Sequence, residues 1–405
     1  MTSICLNMIV KNESDVIIET LENILAHIQI DYWVISDTGS TDDTVQLIEK
    51  FFKQKKIEGK IHHDQWVDFS HNRNLALDHC VGKSDYIFIS DADDRIYGDL
   101  ILPELIADAY DIRMRSAERD FYFFKKLLIK NNQFFHWVGV LHEGLITTKP
   151  NVSKVMIDGD YFVKVGHFGN RSKDPAKYLN DALLLEKNIP LEQDHNLKSR
   201  YMFYCACSYH DARMHEKSIE WFKQRKQIKL AEFDEEQWLS FLHLGMQYEV
   251  LKDYANATYY WLQGFDYYPN RAECLYHCIR IWNDQDHNRL ALEMIGIAKK
   301  IPMPMHGESI EKNVYLYGLN YESARANIEL KNYNVALIEL IHLLQQPTHS
   351  KSLSEFIVNG LSLCLEQNLN INVQDVDETL IKLDQFNHSF QIENIDVLKQ
   401  QILRI

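Results

Sequence analysis

Strand-like and helix-like patterns alternate over the first hundred residues, and this alternation constrains the fold of the 405-residue chain more than any other feature. Short β-branched and aromatic runs predict three strands, at residues 3–10, 31–36 and 86–90. Apolar side chains at helical spacing predict helices over residues 15–30, after a capping box at 40–43, and from about Ser70 to Gly82. Such alternation predicts a mainly parallel sheet whose two faces are covered by helices.

The pattern changes after about residue 120. Short strands without long helices between them are predicted at residues 121–124, 127–129 and 155–157. From about Pro175 onward the chain is predicted to be entirely helical. Four helical segments resemble one another, at residues 208–222, 247–261, 281–295 and 327–341. Helix pairs that recur at roughly 34 residues are typical of tetratricopeptide-like solenoids, and a non-repetitive helical bundle is the alternative.

The composition is that of a folded, acidic protein, with 46% hydrophobic residues and a formal net charge of -15. This charge argues against a nucleic-acid partner, because phosphate contacts need a basic surface. No apolar run approaches the roughly 18 residues of a membrane span, and the N-terminus lacks the pattern of a signal peptide. The odd count of seven cysteines indicates reduced thiols. We therefore expect a cytoplasmic protein without a transmembrane segment.

A cluster of carboxylates, Asp91–Asp94, directly follows the apolar run Tyr86–Ser90. In an open α/β sheet, ligands bind just past the carboxyl ends of the strands. Two carboxylates in a D-x-D spacing at such a point can hold a hard divalent cation against the phosphates of a substrate. Acidic residues after a strand also form turns and helix caps, so the cluster alone is compatible with either role.

Four further segments point to the same polar cleft. Met8–Glu13 ends the first predicted strand, and Asp37–Thr44 follows the second. Trp66–Asn74 brings in Arg73, and Gly139–Glu143 adds a later carboxylate. Since the carboxyl ends of parallel strands meet at one edge of a sheet, we expect these carboxylates, amides and the arginine to converge there.

Together these segments resemble family 2 glycosyltransferases with the GT-A fold, over roughly residues 1–170. In that family an N-E pair ends a short strand, a D-x-G-S-T-D-x-T turn follows strand two, an R-N pair opens a later helix and a D-x-D closes the nucleotide site. All four motifs occur here in order, at residues 12–13, 37–44, 73–74 and 91–93. The appended helical repeats resemble the branch of the family that carries a C-terminal tetratricopeptide-like domain.

The resemblance implies a role for each matching residue of the nucleotide site. Asp37 would accept a hydrogen bond from the nucleotide base, usually uracil. Val10 and Glu13 would line the base and ribose, and Arg73 would touch the nucleotide or its phosphates. The turn after strand two usually carries a second acid, and Thr38 stands in its place here.

The resemblance also implies a metal site and a general base. Asp91 would approach the ribose and the metal, Asp93 would bind the Mn²⁺ or Mg²⁺ ion, and His167 is a further candidate ligand. The ion would neutralise charge that develops on the departing diphosphate. The downstream E-D pair of the family, whose acid serves as base, is not obvious here. Glu143 is therefore the first candidate for the base, and Asp94 is the second.

These inferences predict an α/β GT-A domain (a Rossmann-like nucleotide-diphospho-sugar transferase) at 1–190, tetratricopeptide-like helical repeats at 191–345 and a helical cap at 346–405. The predicted function is a metal-dependent, inverting glycosyltransferase. It would move a sugar from a nucleotide-sugar donor, with a UDP-sugar favoured, to a glycan or a protein or peptide acceptor. The alternative is a degenerate nucleotide-sugar-binding domain on a helical interaction scaffold. The helical domain is the predicted surface for a homodimer.

Overall fold

The computed structural model describes residues 2–115, 122–166, 168–230, 234–304, 307, 310–346, 350–367, 373–392 and 395–402. The chain forms two compact units, Met1–Arg225 and Lys226–Ile405. The functional boundaries predicted at residues 190 and 345 stay predictions, because a division by compactness does not test which residues serve which function.

The first unit combines strands with six helices in its described part. The strands are β1 (Ile4–Val10), β2 (Tyr32–Asp37), β3 (Glu58–His63), β4 (Tyr86–Ile89), β5 (Arg95–Gly98), β6 (Ala109–Arg115), β7 (Tyr122–Lys130), β8 (Phe135–Val138), β9 (Gly144–Thr147), β10 (Lys154–Met156) and β11 (Tyr161–Lys164). The helices are α1 (Ile17–His27), α2 (Thr44–Lys55), α3 (Phe69–His79), α4 (Lys177–Asn188), α5 (His195–Asp211) and α6 (His215–Arg225), and a 3-10 turn covers Asn170–Lys173.

The main sheet has the strand order β3-β2-β1-β4-β7-β6-β11-β5, and β10 also pairs with β6. Strands β1 to β4 are parallel to one another, whereas β7 runs antiparallel to both β4 and β6. The predicted parallel sheet is therefore confirmed for the first four strands. Val10 at the end of β1 pairs with Asp37 at the end of β2, and Ile89 ends β4 opposite Asn7. The carboxyl ends of these strands thus lie along one edge of the sheet.

Helices cover the parallel part of the sheet. Helix α1 buries Ile17, Leu21 and Ile24 in the same core as Leu6 and Met8 of β1. Each fully buried side chain of this size contributes about 1.5 to 3 kcal/mol relative to the exposed state. This core holds the strand ends in fixed positions and so gives the polar edge a rigid base.

Three local expectations differ from the structure. The predicted strands at 121–124 and 127–129 are one continuous strand, β7, within the described residues. Strand β3 was not predicted, because its sequence is polar and only Ile61 is buried. The capping box predicted at 40–43 is wrong: α2 begins at Thr44, and Asp43 makes no side-chain cap bond. Instead Asp42 accepts hydrogen bonds from the backbone and the hydroxyl of Thr44.

The second unit is helical, which confirms the prediction for this part of the chain. Its helices are α7 (Glu235–Val250), α8 (Tyr254–Tyr267), α9 (Glu273–Asp284), α10 (Asn288–Ala298), α11 (Leu319–Glu329), α12 (Tyr333–Leu344), α13 (Lys351–Leu365), α14 (Val373–Phe390) and α15 (Ile395–Ile402). A Cβ atom on Gly245 would lie 2.1 Å from Nε1 of Trp261, so α7 and α8 approach closely only because this residue is glycine. Within the described residues, no helix is both long and apolar enough to cross a membrane.

Candidate active site

The ends of β1 and β2 are joined by Thr38, the residue that stands in place of the second acid of the turn. The backbone nitrogen and the hydroxyl of Thr38 both donate to the carbonyl oxygen of Val10, over 2.9 and 3.0 Å. Thr38 is buried, and so is Val10. At this position the chain therefore has an uncharged side chain that links the ends of two strands, rather than a second negative charge.

Asp37 ends β2 with a carboxylate whose two oxygens are both engaged. Oδ1 accepts a hydrogen bond from the backbone of Ser40 over 3.0 Å. Oδ2 lies 3.2 Å from Nδ1 of His63, the last residue of β3. Gly39 makes the intervening turn possible, because its φ of +102° lies in the region that favours glycine. The carboxylate is thus held in one orientation at the polar edge.

The N-E pair and the turn after β2 bind each other directly. The backbone nitrogen of Asn12 donates to the hydroxyl of Ser40, and Thr41 donates its backbone N–H to Oδ1 of Asn12. The backbone nitrogen of Glu13 donates to the hydroxyl of Thr44 over 2.8 Å. Asn12 has a left-handed φ of 56°, a conformation that asparagine tolerates better than most residues. These mutual bonds give a physical reason why the two motifs occur together.

Arg73 of α3 connects two carboxylates from distant parts of the chain. Its Nη2 lies 2.6 Å from Oδ1 of Asp91, and its Nε lies 2.6 Å from Oε1 of Glu143. The guanidinium also lies over the ring of Trp137, at 5.0 Å from the centroid. Burial alone would lower the pKa of Arg73, but the two carboxylates outweigh that effect and raise it. Arg73 therefore stays charged and fixes the positions of both acids.

The D-x-D carboxylates point to different partners. Burial opposes the charge of Asp91, but Arg73, with help from Lys125, lowers the pKa of Asp91 to about 2. Oδ2 of Asp93 accepts a hydrogen bond from the backbone of Gly169 over 2.8 Å. A Cβ atom on Gly166 would lie 2.2 Å from Cγ of Asp93, so the segment after β11 packs tightly against the D-x-D.

Asp94 is the most enclosed carboxylate of the cluster. Only 5% of this residue is exposed, and its Oδ1 accepts a hydrogen bond from the backbone of Gly166 over 3.0 Å. Burial, together with the negative charge of Asp91, raises the pKa of Asp94 to about 7. Asp91 and Asp94, three residues apart, therefore have well-separated pKa values, because the Asp91 carboxylate has Arg73 as a partner whereas that of Asp94 is buried beside the charge of Asp91.

Glu13 extends from the loop after β1 toward the same segment. Its Oε2 accepts a hydrogen bond from the backbone of Asn170, at the start of the 3-10 turn, over 3.3 Å. Burial raises the pKa of Glu13 to about 7, and the negative charge of Asp93 acts in the same direction. The glutamate of the N-E pair therefore contributes its backbone to the turn after β2 and its side chain to the acidic cluster.

The structure thus brings most of the predicted site residues into one region. Arg73 contacts Asp91 and Glu143 directly, and Glu13 is electrostatically coupled to Asp93. Val10 and Asp37 lie at the same sheet edge on β1 and β2, whereas the acidic cluster follows β4 on the other side of β1. A hydrogen bond from the backbone of Gly166 connects Asp94 to the segment that also contacts Asp93. The candidate ligand His167 lies outside the described residues.

Lys125 is a cation of this region that sequence reasoning missed. Phe88 of β4 pairs with Leu128 of β7, and continuing that antiparallel register beyond the end of β4 sets Lys125 opposite Asp91. The positive charge of Lys125 lowers the pKa values of Asp91 and Asp94. Its side chain is exposed. No local pattern marks this residue, because its position depends on a strand pairing between distant segments.

The donor set fits a cation that arrives together with phosphate oxygens. Asp91 uses Oδ1 for Arg73 and Asp93 uses Oδ2 for Gly169, and within the described ranges no donor reaches the second oxygen of either carboxylate. In the same ranges, no group of three or more histidine, cysteine or acidic side chains is arranged to hold a metal by itself. Mg²⁺ commonly takes only one or two carboxylates and completes its shell with water and substrate phosphates.

The mixed sheet, the polar edge and the appended helices define a GT-A-like transferase domain followed by a helical domain. Residues 5–161 match the family model described as "Glycosyl transferase family 2". This part of the chain belongs to that family, and the protein is a glycosyltransferase.

No curated protein matches the chain. Three solved structures show distant likenesses. S. aureus TarS 1-349 in complex with UDP-GlcNAc is 15% identical, with 63% of this chain and 90% of that chain covered and a TM-score of 0.36. The C-terminal part of a TPR repeat-containing protein from Cytophaga hutchinsonii is 10% identical, with 56% and 90% covered and a TM-score of 0.39. MamA (MSR-1) is 13% identical, with 47% and 95% covered and a TM-score of 0.32.

Proposed function

We propose that this protein is a metal-dependent, inverting glycosyltransferase that uses a UDP-sugar and glycosylates a glycan or a protein or peptide. The observation that carries the proposal is the contact of Arg73 with both Asp91 and Glu143 at the sheet edge where β1, β2 and β4 end. This edge is where open α/β sheets bind their ligands. It joins an acceptor for the nucleobase, a pair of acids for a metal and a further acid near the expected sugar.

The nucleotide would lie across the ends of β2, β1 and β4. Asp37 would accept the N3–H of uracil, and the Val10 and Glu13 segment would line the base and ribose. From β2 to β4 there are two interstrand spacings, or about 10 Å, which separate the base-binding acid from the D-x-D. The order of the strands therefore supports a donor whose base and diphosphate are bound by different strand ends.

Asp91 and Asp93 would hold a Mn²⁺ or Mg²⁺ ion. When bound, such an ion supplies Lewis-acid stabilisation of the charge on the departing diphosphate. The chain itself contributes two positive charges nearby, on Arg73 and Lys125. Arg73 is occupied by its two carboxylates, so Lys125 is the cation that we propose to contact the diphosphate.

Glu143 would serve as the general base toward the acceptor. The Arg73 Nε–H fixes Oε1 of Glu143, and Oε2 would take the proton of the attacking hydroxyl or thiol. Inversion follows when that nucleophile attacks the anomeric carbon opposite the departing UDP. Asp94 remains the second candidate, since a pKa of about 7 suits a base, although this residue is buried.

The rest of the chain would serve the acceptor and the assembly. We propose that residues 1–190 form the catalytic domain, that the repeats at 191–345 present the acceptor and that residues 346–405 cap them. A homodimer through the helical domain and a cytoplasmic location are part of the same proposal. The free thiols of the described cysteines are consistent with a reducing compartment.

A donor screen tests the function. The full chain is incubated with UDP-, GDP- and CMP-sugars, with and without Mn²⁺, and release of the nucleotide is measured. We expect turnover of a UDP-sugar that stops on addition of EDTA and in Asp93→Asn. Glu22→Gln, an exposed acid on α1, is the matched control and should keep full activity. Failure of every donor to bind or turn over in the presence of metal would refute the proposal.

A further inference from the structure

His63 is the last residue of β3 and the register partner of Asp37. Its Nδ1 lies 3.2 Å from Oδ2 of Asp37, and the side chains differ sharply in exposure, at 68% for the histidine and 5% for the aspartate. A largely solvent-exposed ring is thus bonded to a nearly buried carboxylate. The ring lies at the solvent-facing side of the acid that we propose to read the nucleobase.

The backbone holds this pair rigidly. The N–H of Asp64, the next residue, donates to the carbonyl oxygen of Asp37 over 2.9 Å. The side chain of Asp64 accepts from the hydroxyl of Ser36 over 2.6 Å. Ser36 and Asp64 therefore lock the end of β3 to the end of β2, and His63 has little freedom to move away from Asp37.

We propose that His63 is a positioning residue for nucleobase selection, which makes the site specific for nucleotides of uracil over those of cytosine. The inference rests on the proposed function, because it assumes that the donor nucleotide binds at Asp37. With its proton on Nδ1, His63 donates to Oδ2 while the N–H of Ser40 holds Oδ1. The two donors hold one oxygen each, so the carboxylate faces the base as an acceptor in a single orientation.

Uracil and cytosine differ at the atom that such a carboxylate reads. N3 of uracil carries a hydrogen and donates, whereas N3 of cytosine carries a lone pair and would face the carboxylate oxygen without a hydrogen bond. A site built to hydrogen-bond one group of its substrate rejects an analogue that lacks the group by factors that reach about 10⁴. Because the His63 side chain is largely exposed to solvent, we expect a smaller discrimination than this, with UDP preferred over CDP about 100-fold.

Isothermal titration of the full chain with UDP and with CDP, in the presence of Mn²⁺, tests the inference. His63→Ala should weaken UDP about 10-fold and leave CDP nearly unchanged, so the preference shrinks by the same factor. His63→Asn, which can keep an N–H donor near the position of Nδ1, should restore most of the preference. Lys60→Ala, an exposed change three residues earlier on β3, is the matched control and should behave as the wild type.

The outcomes separate this inference from the proposed function. If wild-type protein prefers UDP, Asp37→Asn loses that preference and His63→Ala keeps it, the role of His63 is overturned while the function stands. If wild-type protein binds UDP and CDP equally, the role of His63 is overturned and the function is decided by the donor screen. If it binds neither, both are overturned. Because the His63 side chain is mostly exposed, its variants should melt within about 1 °C of the wild type, in line with surface substitutions elsewhere.

Discussion

The side chains of Arg73 and Glu143 meet with 2.6 Å between Nε and Oε1, although 70 residues separate them in the sequence. The same guanidinium holds Asp91 through Nη2. Holding two carboxylates at once through different N–H groups depends on the planar guanidinium of arginine. The single ammonium group of lysine does not reproduce this geometry.

Arg73→Lys should therefore damage catalysis while the charge is kept. Lysine can hold one of the two carboxylates at a time, so either Asp91 or Glu143 loses its position. We expect kcat/KM to fall about 100-fold, the size of effect that a misplacement of about 1 Å produces. Steady-state kinetics measure the loss. Arg113→Lys on β6 is the control, because it makes the same arginine-to-lysine substitution away from the two carboxylates. Activity within a factor of two of the wild type would contradict the bridging role.

Substitution of the two candidate bases separates their roles. Glu143→Gln should reduce transfer by about 10²- to 10⁴-fold, the usual contribution of a general base, while UDP binding persists. Asp94→Asn should reduce transfer less, because its buried oxygen already accepts from Gly166. Single-turnover transfer together with UDP titration provides the measurement. The reverse order of effects would assign the base to Asp94.

Gly166→Ala should disrupt the D-x-D without removing an ionisable group. The new Cβ would lie 2.2 Å from Cγ and 2.3 Å from the carbonyl oxygen of Asp93, and a backbone atom cannot move away cheaply. We expect at least about a 10-fold rise in the Mn²⁺ concentration that half-activates the enzyme, together with a loss of stability of about 1 to 3 kcal/mol. Gly144→Ala is the matched control, since nothing lies within 4 Å of its added Cβ. Unchanged metal activation would show that the contact is not needed.

Lys125→Ala should slow the step in which the diphosphate departs. Its charge lowers the pKa values of Asp91 and Asp94, and we propose that it contacts the diphosphate. We expect kcat to fall about 10- to 100-fold, with partial recovery in Lys125→Arg. Lys130→Ala, an exposed lysine on the same strand, is the control. Equal kcat values for the two alanine variants would remove Lys125 from the reaction.

The raised pKa of Glu13 predicts a pH-dependent stability. Its folded pKa of about 7 exceeds the model-peptide value of 4.5, so the folded state binds this proton more tightly than the unfolded state. The contribution is present below about pH 4.5 and is lost as the pH rises through about 7. Glu13→Gln should therefore raise the melting temperature at pH 8 more than at pH 5.5, by the equivalent of about 1 kcal/mol after solvent screening. Thermal melts without metal at both pH values provide the measurement, and Glu22→Gln serves as the control. The same change in melting temperature between the two pH values for Glu13→Gln and Glu22→Gln would contradict the prediction.

Local sequence was sufficient for the parts of the site whose signal lies within one segment. The strands β1, β2 and β4 have compact apolar runs, and the polar residues follow each run directly. The helical second unit is equally visible from its periodicity. Their positions could be predicted because burial in the core dictates both the pattern and the place where it ends.

The remaining parts depend on pairings between distant segments. Strand β3 is a polar edge strand, so its sequence lacks the apolar run that marks a buried strand, and nothing local places His63 beside Asp37. Lys125 gains its place only from the register of β7 against β4. Gly166 and Gly169 contact Asp93 from residues more than 70 positions later. None of these relationships has a local period or motif that could be read from the chain.

Two hydrogen bonds of Glu13 join it to partners at very different separations along the sequence. Its backbone binds Thr44, which is 31 residues away, whereas its side chain binds Asn170, which is 157 residues away. Closing a short loop costs less conformational entropy than closing a long one, and local contacts form sooner. During synthesis, the hydrogen bond between Glu13 and Thr44 can therefore form long before residue 170 has been made. The acidic side is completed only when the segment after β11 has been made, so its geometry depends on a far longer stretch of chain than the contact between the N-E pair and the turn after β2.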